Sequence, residues 1–324
     1  MELLEKLCMA SGIPGFEDEI REIMQKELKK SCDSVEVDNF GNVIAIKGRG
    51  KKKIMIAAHM DEIGLMIKHI DERGFLNFVK IGGIDDRILM QQRVIIKTKK
   101  GDVRGIIGAK PPHLQKEEEK KKVIKHGELF IDIGAKDGTE AKKMVEVGDP
   151  VILEPNFGKL NGNTYYGKAI DNRVGCYALV KIMRQIKIKD ATVYAVAKID
   201  PDYAIAVDTT IAGDTPYIKE NESSLKLGHG PAITITEASG RGVVTHPKIR
   251  EILMKTAEKK EINYQVDVLE GGMTDSAIIY ITRAGVPSGV VSIPTRYIHG
   301  PSGVFSMDDV KNAIKLVVCA LPEF

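Results

Sequence analysis

The sequence predicts an α/β protein whose mixed, mainly parallel sheet carries helices on both faces, with a small β-domain inserted into it. Apolar runs alternate with helical periodicity in residues 1–62 and again in residues 161–324, and this alternation is typical of parallel sheets covered by helices. Residues 63–160 instead contain short strands separated by glycine and charged turns, which is typical of a small barrel or sandwich. We therefore predict one domain formed by residues 1–62 and 161–324, interrupted by a β-domain at residues 63–160.

The first segment predicts two helices, a hairpin and a buried strand. Residues 3–9 and 17–30 have helical periodicity, and the Gly- and Pro-containing stretch between them is expected to be a loop. Strands at residues 34–37 and 42–46 are expected to pair as a hairpin. The apolar run KIMIAA at residues 53–58 follows as a buried strand.

The inserted segment predicts short strands and one helix. The strands are expected at residues 64–69, 75–80, 93–98, 103–107, 129–133 and 150–153, and the helix at residues 139–145. The charged run KEEEKKK at residues 116–122 is interpreted as a solvated loop or helix face, because mixed charge runs are usually solvated.

After residue 167 the α/β alternation returns. Strands are expected at residues 192–198, 203–208, 231–236, 264–269 and 288–293, and helices at residues 172–186, 246–260, 275–284 and 307–321. No internal repeat interrupts this pattern.

Composition argues against several classes of protein. The 48 Lys and Arg against 45 Asp and Glu leave a net charge of +3, which is too balanced to predict a nucleic-acid partner. No window approaches the roughly 18 apolar residues of a membrane span, and the N-terminus lacks a basic-then-apolar signal. The 4 cysteines are isolated from one another, so we expect free thiols and a cytoplasmic protein.

Four metal-capable side chains are each expected at the end of an apolar run: His59, Asp171, Asp208 and His299. In open α/β sheets, ligands bind beyond the carboxyl ends of the strands, so we expect these side chains to converge there. Two imidazoles and two carboxylates suit a divalent ion such as zinc, and a spare carboxylate oxygen could bridge a second ion. The pattern predicts a site for one or two metal ions, and a hydrolase is the first function to consider.

Asp171, His59 and His299 each also have a structural interpretation. Asp171 directly precedes a predicted helix, where Asp is a favoured N-cap. A histidine at a strand end, such as His59 or His299, can be structural. Asp61 strengthens the functional interpretation of His59, since residues i and i+2 of an extended segment face the same way. A carboxylate in that position can orient a metal-bound imidazole.

A glycine-rich turn, Gly271-Gly272-Met273-Thr274-Asp275, joins a predicted strand to a predicted helix. Free N–H groups at such turns bind anions, although the lysine of a P-loop is absent. We interpret Gly271, Gly272 and Thr274 as backbone that lines a substrate-binding cleft, and Asp275 as the helix cap.

Taken together, five segments resemble one family. AAHMDEIGLMI, GKAIDNRVG, PDYAIAVDTTIAGD, EGGMTDSA and GVVSIPTRYIHGP are similar to motifs of the tetrahedral (TET) aminopeptidases. These are cytosolic dinuclear metallo-aminopeptidases, among them glutamyl aminopeptidases and members described as endoglucanases. The resemblance covers essentially the whole chain. It implies a catalytic α/β metallopeptidase domain, residues 1–62 and 161–324, that removes N-terminal residues from peptides.

The resemblance also implies roles for the candidate residues. Two zinc or cobalt ions would be bridged by Asp171, with His59 and Asp208 on one ion and His299 on the other. Asp61 would orient His59. The domain at residues 63–160 would mediate dimerisation, and the dimers would assemble into dodecamers that trim peptide substrates.

One departure from the family pattern is serious. Family members carry a Glu-Glu pair, a general base followed by a metal ligand, between the helix after the bridging Asp and the next ligand Asp. Here residues 193–202 read VYAVAKIDPD and contain no such pair. Neighbouring parallel strands also need a crossover of about a dozen residues or more, whereas residues 199–202 suffice only for a hairpin. Either the sheet differs here or the sequence lacks a crossover segment of roughly fifteen residues.

The predicted function is a metal-dependent aminopeptidase in which a metal ion polarises the scissile carbonyl and activates a water. A non-catalytic assembly protein is the alternative, because the Glu pair is missing and loss of a general base slows turnover about 10²–10⁴-fold. We accordingly expect little peptidase activity from the sequence as it stands. A glycoside hydrolase is disfavoured by 5% aromatic residues and no Trp, since sugar-binding sites usually need aromatic platforms.

Overall fold

The computed structural model describes residues 1–188, 190–195, 201–238 and 242–324. Its helices are α1 (Glu2–Met9), α2 (Asp18–Leu28), α3 (Glu117–Lys120), α4 (Gly138–Met144), α5 (Ile170–Gln185), α6 (Pro247–Lys259), α7 (Ser276–Ile279) and α8 (Met307–Ala320). None of the helices in these ranges has the length and apolar character needed to cross a bilayer.

The strands follow one another along the chain in two groups. They are β1 (Ser34–Val37), β2 (Val43–Lys47), β3 (Lys52–Ala57), β4 (Gly64–Ile70), β5 (Leu76–Ile81), β6 (Arg93–Thr98), β7 (Gly101–Gly108), β8 (Phe130–Asp132), β9 (Pro150–Leu153), β10 (Phe157–Lys159), β11 (Thr164–Gly167), β12 (Ala191–Ala195), β13 (Tyr203–Ile211), β14 (Ala232–Glu237), β15 (Gln265–Leu269), β16 (Ser288–Arg296) and β17 (Gly303–Ser306).

The large sheet has 11 strands, in the order β1-β2-β12-β3-β13-β16-β17-β11-β10, with β14 paired to β16 and β15 paired to β14. Its centre is parallel, because β3 pairs in parallel with β12 and β13, and β13 does so with β16. The flanking pairs β1–β2, β16–β17 and β11–β17 are antiparallel. The predicted α/β fold with a mixed sheet is confirmed.

Helices pack on both faces of the large sheet. On one face Ile56, Val207 and Ile293 belong to the main apolar core, which also contains residues of α1, α5 and α8. On the other face Ala204 packs in a much smaller cluster with Ile279 of α7. Alternate residues of β13 therefore point to opposite faces, as the pleat of a strand requires.

Strands β4 to β9 close a separate barrel in the order β4-β5-β8-β7-β6-β9. The barrel has its own apolar core, in which Leu65, Leu76, Ile131 and Val151 are each 0% exposed. The predicted small β-domain is thus present as a fold. Its boundaries at residues 63 and 160 and its role in dimerisation stay predictions.

Several predicted elements have different limits in the structure, and two of these differences bear on the candidate site. The helix expected at residues 275–284 covers only Ser276–Ile279, since the segment is rich in β-branched Ile and Thr, which are weak helix formers. The strand expected at residues 203–208 continues to Ile211, so Asp208 lies inside β13 and not at its end. The short strands β10, β11 and β17 were not predicted, because their sequences carry little apolar alternation.

The connection between β12 and β13 is short for its topology. The two strands lie on opposite sides of β3 and both run parallel to it, so they do not pair with each other as a hairpin. The strand expected at residues 192–198 is described as far as Ala195. Residues 196–200, which are half of the stretch 193–202 where the Glu pair was sought, lie outside the described residues.

Candidate metal centre

Parallel strands bring the first two candidate ligands together. His59 follows the carboxyl end of β3, and Asp208 lies in β13, where Ala206 pairs with Ala57 of β3. As a result His59 Nε2 lies 3.6 Å from Asp208 Oδ1. Asp208 is 5% exposed, so its carboxylate is held in a region from which water is largely excluded.

Asp171 is not the N-cap of α5, and its structural interpretation is wrong. Asp171 and Asn172 have non-helical backbone dihedral angles at the start of α5, and the peptide bond between them is cis. Asn172 Oδ1 accepts a hydrogen bond from the Gly175 N–H at 3.0 Å, which is the contact of a capping side chain. Because Asn172 caps the helix, the Asp171 carboxylate is available to other partners.

The two oxygens of Asp171 face two different imidazoles. Asp171 Oδ1 lies 3.2 Å from His59 Nε2, and Asp171 Oδ2 lies 3.0 Å from His299 Nε2. The structure therefore brings all four predicted ligands together, with Asp171 between the histidines. On the far side of the ring, His59 Nδ1 lies 3.2 Å from Asp61 Oδ1, the contact that the i, i+2 spacing predicts.

His299 is held by a strained connection between β16 and β17. Ala169, Tyr297 and His299 have φ angles of 53°, 58° and 59°. Positive φ is uncommon for residues other than glycine and costs free energy. Residues of this kind cluster at functional sites, and here they lie on both sides of the contact between Asp171 and His299.

The charges in this group are strongly coupled. Burial opposes a charge on His59, but the carboxylates of Asp208, Asp171 and Asp61 outweigh it and hold the pKa of the imidazole well above its ordinary value. Burial would raise the pKa of Asp171, yet its hydrogen bonds with His299 and His59 lower it. The hydrogen bond with Asp171 raises the pKa of His299.

Burial raises the pKa of Asp208 to about 6, although the charge of His59 opposes this rise and that of Asp171 adds to it. Two neighbouring carboxylates with little access to water repel each other, and a cation between them removes that repulsion. One ligand atom each of His59, Asp171 and Asp208 lies within 4.8 Å of the others. Imidazole nitrogen with carboxylate oxygen is a donor set that zinc and similar divalent ions accept, so these residues fit a metal ion.

A cavity of about 330 Å³ opens beside His59 and is lined by apolar side chains together with Glu17, Asp61 and Asp275. Burial raises the pKa of the Asp275 carboxyl, with a further contribution from the charges of Asp61 and Asp171 against that of His59. Asp275 occupies the N-cap position of α7, as predicted, but its side chain makes no capping hydrogen bond to the helix. Its position directly after the glycine-rich turn is the sequence signal that could have indicated a role in the cavity.

The neighbouring residues that were expected to line a substrate cleft lie elsewhere. Gly271 and Gly272 are exposed, and the Thr274 N–H donates to Glu237 Oε2 at 3.2 Å. None of these three lines the cavity beside His59. Their assignment to substrate binding stays a prediction.

Three buried charged residues next to the candidate ligands were not predicted at all. Glu62, Lys168 and Arg173 are 4%, 2% and 0% exposed. They also lie close to the ligands in sequence, since Glu62 follows Asp61 and the other two flank Asp171.

The acidic residue that is described in the β12–β13 connection is far from the centre. Asp202 Oδ2 accepts a hydrogen bond from the Lys53 N–H at 2.8 Å, at the start of β3, whereas His59 follows the end of the same strand. Asp202 therefore does not replace the missing Glu pair.

Comparisons with known proteins agree on one class. A family model described as M42 glutamyl aminopeptidase matches residues 41–316. A lysyl aminopeptidase of Pyrococcus furiosus is 34% identical over 340 aligned positions, which cover 99% of this chain and 96% of that protein. Because this chain has 324 residues, that relative contains more than a dozen residues without a counterpart here. A longer relative is what we expect if this sequence lacks part of the connection between β12 and β13.

Two solved structures match the whole chain. A TET aminopeptidase of the marine sediment archaeon Thaumarchaeota archaeon SCGC AB-539-E09 has a TM-score of 0.95 and 36% identity, and the match covers 100% of this chain and 96% of that chain. The TET1 peptidase of Pyrococcus horikoshii, which can assemble into a tetrahedron or a large octahedral shell, has a TM-score of 0.88 and 32% identity over 100% of this chain and 99% of its own.

The fold and these matches define an aminopeptidase, a hydrolase that acts on peptide bonds. The chain belongs to the M42 glutamyl aminopeptidase family, whose members are metal-dependent. The predicted resemblance and the predicted enzyme class are confirmed. The non-catalytic alternative gains no support from the comparisons.

Proposed function

We propose that this protein is a metal-dependent aminopeptidase that removes N-terminal residues from peptides and holds two divalent ions, zinc or cobalt. The observation that carries the proposal is the placement of Asp171 between two imidazoles, one facing each carboxylate oxygen at 3.2 and 3.0 Å. A carboxylate in this position is suited to bridging two ions. His59 and Asp208 would hold one ion, and His299 the other.

Asp61 and the burial of Asp208 orient and shield the proposed ligands. Asp61 accepts a hydrogen bond from His59 Nδ1 and so presents Nε2 to the ion, as carboxylate partners of metal-bound histidines do. When bound, the ions supply a polarised scissile carbonyl and a water of lowered pKa. The low exposure of Asp208 keeps bulk water away from that charge.

Asp275 is the carboxylate that we assign to the free amino group of the substrate. Of the acidic residues that line the described cavity, Glu17 and Asp61 already accept hydrogen bonds. The Asp275 carboxylate has no hydrogen bond or ion pair in the described part of the structure, since it makes no capping contact and only its backbone carbonyl accepts hydrogen bonds, from the N–H groups of Ile278 and Ile279. A peptide with a free N-terminus brings the ammonium group that would satisfy this carboxylate, and an acetylated peptide does not.

The metal content of purified protein tests the proposal. We expect two ions per chain in the wild type, about one in His299→Ala, and one or fewer in His59→Ala. His69→Ala, a histidine of the barrel strand β4, is the matched control and should leave the content unchanged. Equal metal content in the wild type and both site variants would refute the assignment.

Hydrolysis of short peptides tests the reaction itself. We expect release of the N-terminal residue from free peptides, no release from the same peptides after N-acetylation, and loss of the reaction after removal of metal with a chelator. The expected low turnover, which follows from the missing Glu pair, stays a prediction and is measured in the same assay.

We further infer that the chain self-associates through the barrel into dimers and, from these, dodecamers. The barrel exposes apolar side chains on its surface, among them Ile106, which is 54% exposed, and Val147, which is 63% exposed. The TET1 peptidase of Pyrococcus horikoshii can assemble into a tetrahedron or a large octahedral shell, which supports self-association here. Light scattering should show a smaller particle for Ile106→Glu with Val147→Glu, and an unchanged particle for Val268→Glu on the edge strand β15 of the large sheet. The opposite pattern would refute a role for the barrel.

A cytoplasmic location is also part of the proposal. All 4 cysteines are free, which suits a reducing compartment. Fractionation of cells that make the protein would contradict this location if the protein were recovered outside the cytoplasm.

A further inference from the structure

We propose that Glu62, Lys168 and Arg173 form a buried positioning cluster that fixes the two ligand-bearing segments relative to each other and to helix α1. The inference rests on the proposed metal centre, because positioning has meaning only if Asp171 and His59 bind metal. None of the three residues is itself assigned as a ligand.

The side chains of Lys168 and Arg173 both contact that of Glu62 directly. Lys168 Nζ donates to Glu62 Oε1 at 2.6 Å and to Oε2 at 2.5 Å, and Arg173 Nη2 donates to Glu62 Oε1 at 3.2 Å. The two cations also reach the end of α1. Arg173 Nη1 donates to the Leu7 carbonyl at 2.6 Å, and Lys168 Nζ donates to the Ala10 carbonyl at 3.1 Å. Carbonyls at a helix C-terminus have no partner within the helix, so the cluster satisfies them.

Stability alone does not explain why these charges are buried. Buried ion pairs cost desolvation, and apolar side chains of similar volume are often as stable or more stable. What the ion pairs provide is fixed geometry, because an Arg or Lys must sit within hydrogen-bonding distance of one particular carboxylate.

The position of the cluster shows what that geometry controls. Glu62 directly follows Asp61, and Lys168 and Arg173 lie on either side of Asp171, three residues before it and two residues after it. A small space of about 20 Å³ is lined by Glu62 and Lys168 together with Asp171 and His299. One carboxylate, that of Glu62, thus links the segment of His59 to the segment of Asp171.

Gly12 shows how closely the N-terminal segment approaches this cluster. A Cβ added at Gly12 would lie 3.0 Å from Arg173 Nη2 and 2.9 Å from Ile20 Cγ2. The Glu62 N–H donates to the Gly12 carbonyl at 2.8 Å. The loop after α1 is therefore packed directly against the guanidinium group and the backbone of Glu62.

The test uses variants that conserve charge, because the cluster carries one excess positive charge and a change in that charge would alter metal affinity by itself. Arg173→Lys keeps the charge but loses the planar fork that contacts both Glu62 and Leu7. Arg184→Lys is the matched control: Arg184 lies on the same helix and pairs with Glu27 of α2, near the opposite end of the helix. Metal affinity is measured by competition with a chromophoric chelator, and thermal unfolding is measured on the metal-free proteins.

We expect Arg173→Lys to bind zinc about tenfold more weakly than the wild type, at the low end of the loss seen when partners of metal ligands are changed. Arg184→Lys should keep the wild-type affinity. If Arg173→Lys does not fold, Lys168→Arg carries the same comparison and the same expected loss.

Wild-type zinc affinity in Arg173→Lys or Lys168→Arg, with only the unfolding temperature lowered, would overturn the proposal, since the cluster would then be merely structural. The proposal would also be overturned if Arg173→Lys and the control Arg184→Lys lost the same amount of zinc affinity. Failure of the proposed function is distinguishable, because it appears as the absence of zinc binding in the wild type itself.

Discussion

The barrel and the large sheet bury different kinds of side chain. Residues 64–153 are all described, and none of the buried polar or charged side chains belongs to them. The large sheet and its helices bury Glu62, Lys168, Arg173, Asp208 and other polar groups. Burying such groups costs free energy unless they are paired, so their confinement to one part of the chain marks where the protein uses charge for something other than stability.

The same contrast holds for ion pairs. Those of the barrel lie largely at the surface, as with Arg104 and Glu154, whose side chains are 78% and 22% exposed. Those beside the candidate metal centre are buried and shared among several partners. A barrel with an apolar core can vary its surface freely, whereas the large sheet is constrained around Asp171.

The largest expected effect separates the two regions by function. Asp171→Ala should remove both metal ions and lower kcat/KM by about 10³-fold, because the ions contribute several kcal/mol of charge stabilisation. Asp132→Ala, a matched change of an exposed aspartate in the barrel, should leave the metal content and kcat/KM unchanged. Metal analysis and peptide hydrolysis check this pair. Metal retained in Asp171→Ala would break the comparison.

A second substitution tests whether the stability of the barrel is independent of the candidate metal centre. Leu76→Ala removes a barrel side chain that is 0% exposed and should destabilise the barrel by about 3 kcal/mol, in the middle of the range for such changes. Metal content should stay at the wild-type value under native conditions. Denaturant unfolding with metal analysis tests this, and metal loss in the folded variant would show that the barrel and the centre are not separable.

Asp61→Asn should have a smaller effect on the centre. The side chain keeps its shape but loses the charge that orients His59 across 3.2 Å, so metal affinity should fall about 10–100-fold. Asp102→Asn in the barrel strand β7 is the control. If chelator competition gives equal affinity for both variants, Asp61 has no orienting role.

The smallest effect is expected for an ion pair of the barrel. Lys80 Nζ lies 2.8 Å from Asp86 Oδ1, with side chains that are 24% and 10% exposed. Lys80→Met should change the free energy of unfolding by less than about 1 kcal/mol, as partly exposed pairs do. A loss as large as the 3–5 kcal/mol or so that breaking a buried pair costs would erase the distinction between the two regions.

Much of this architecture was predictable because apolar periodicity is a local signal. The strands Arg93–Thr98 and Pro150–Leu153 have the predicted bounds, since each is a short apolar run between turn residues. The position of His59 was also predictable, because it follows the parallel strand β3 and ligands gather beyond the carboxyl ends of such strands. The position of Asp208 inside β13 does not follow from that rule.

The buried charges were not predictable in this way. Glu62, Lys168 and Arg173 are charged residues in ordinary sequence surroundings, and charged residues are usually exposed. Their burial depends on contacts between segments that are more than 100 residues apart. Lys168 and Glu62, for example, are separated by 106 residues. The cap of α5 was misassigned for a related reason, because Asp and Asn are both good N-caps and sequence alone does not say which of two neighbours takes the role.

Because Asn172 caps α5 and Asp171 faces the two imidazoles, variants of these neighbouring residues should be interpreted differently. Asn172 donates through Nδ2 to the Val207 carbonyl at 2.9 Å, one residue before Asp208, while its Oδ1 caps the helix that follows Asp171. One neutral amide therefore contacts the backbone beside both candidate ligands, Asp171 and Asp208. A scan that scores activity alone would class Asn172 with the ligands. Metal affinity measured separately from metal stoichiometry would tell the two apart, because we expect Asn172→Ala to weaken binding while all the proposed donor atoms are still present.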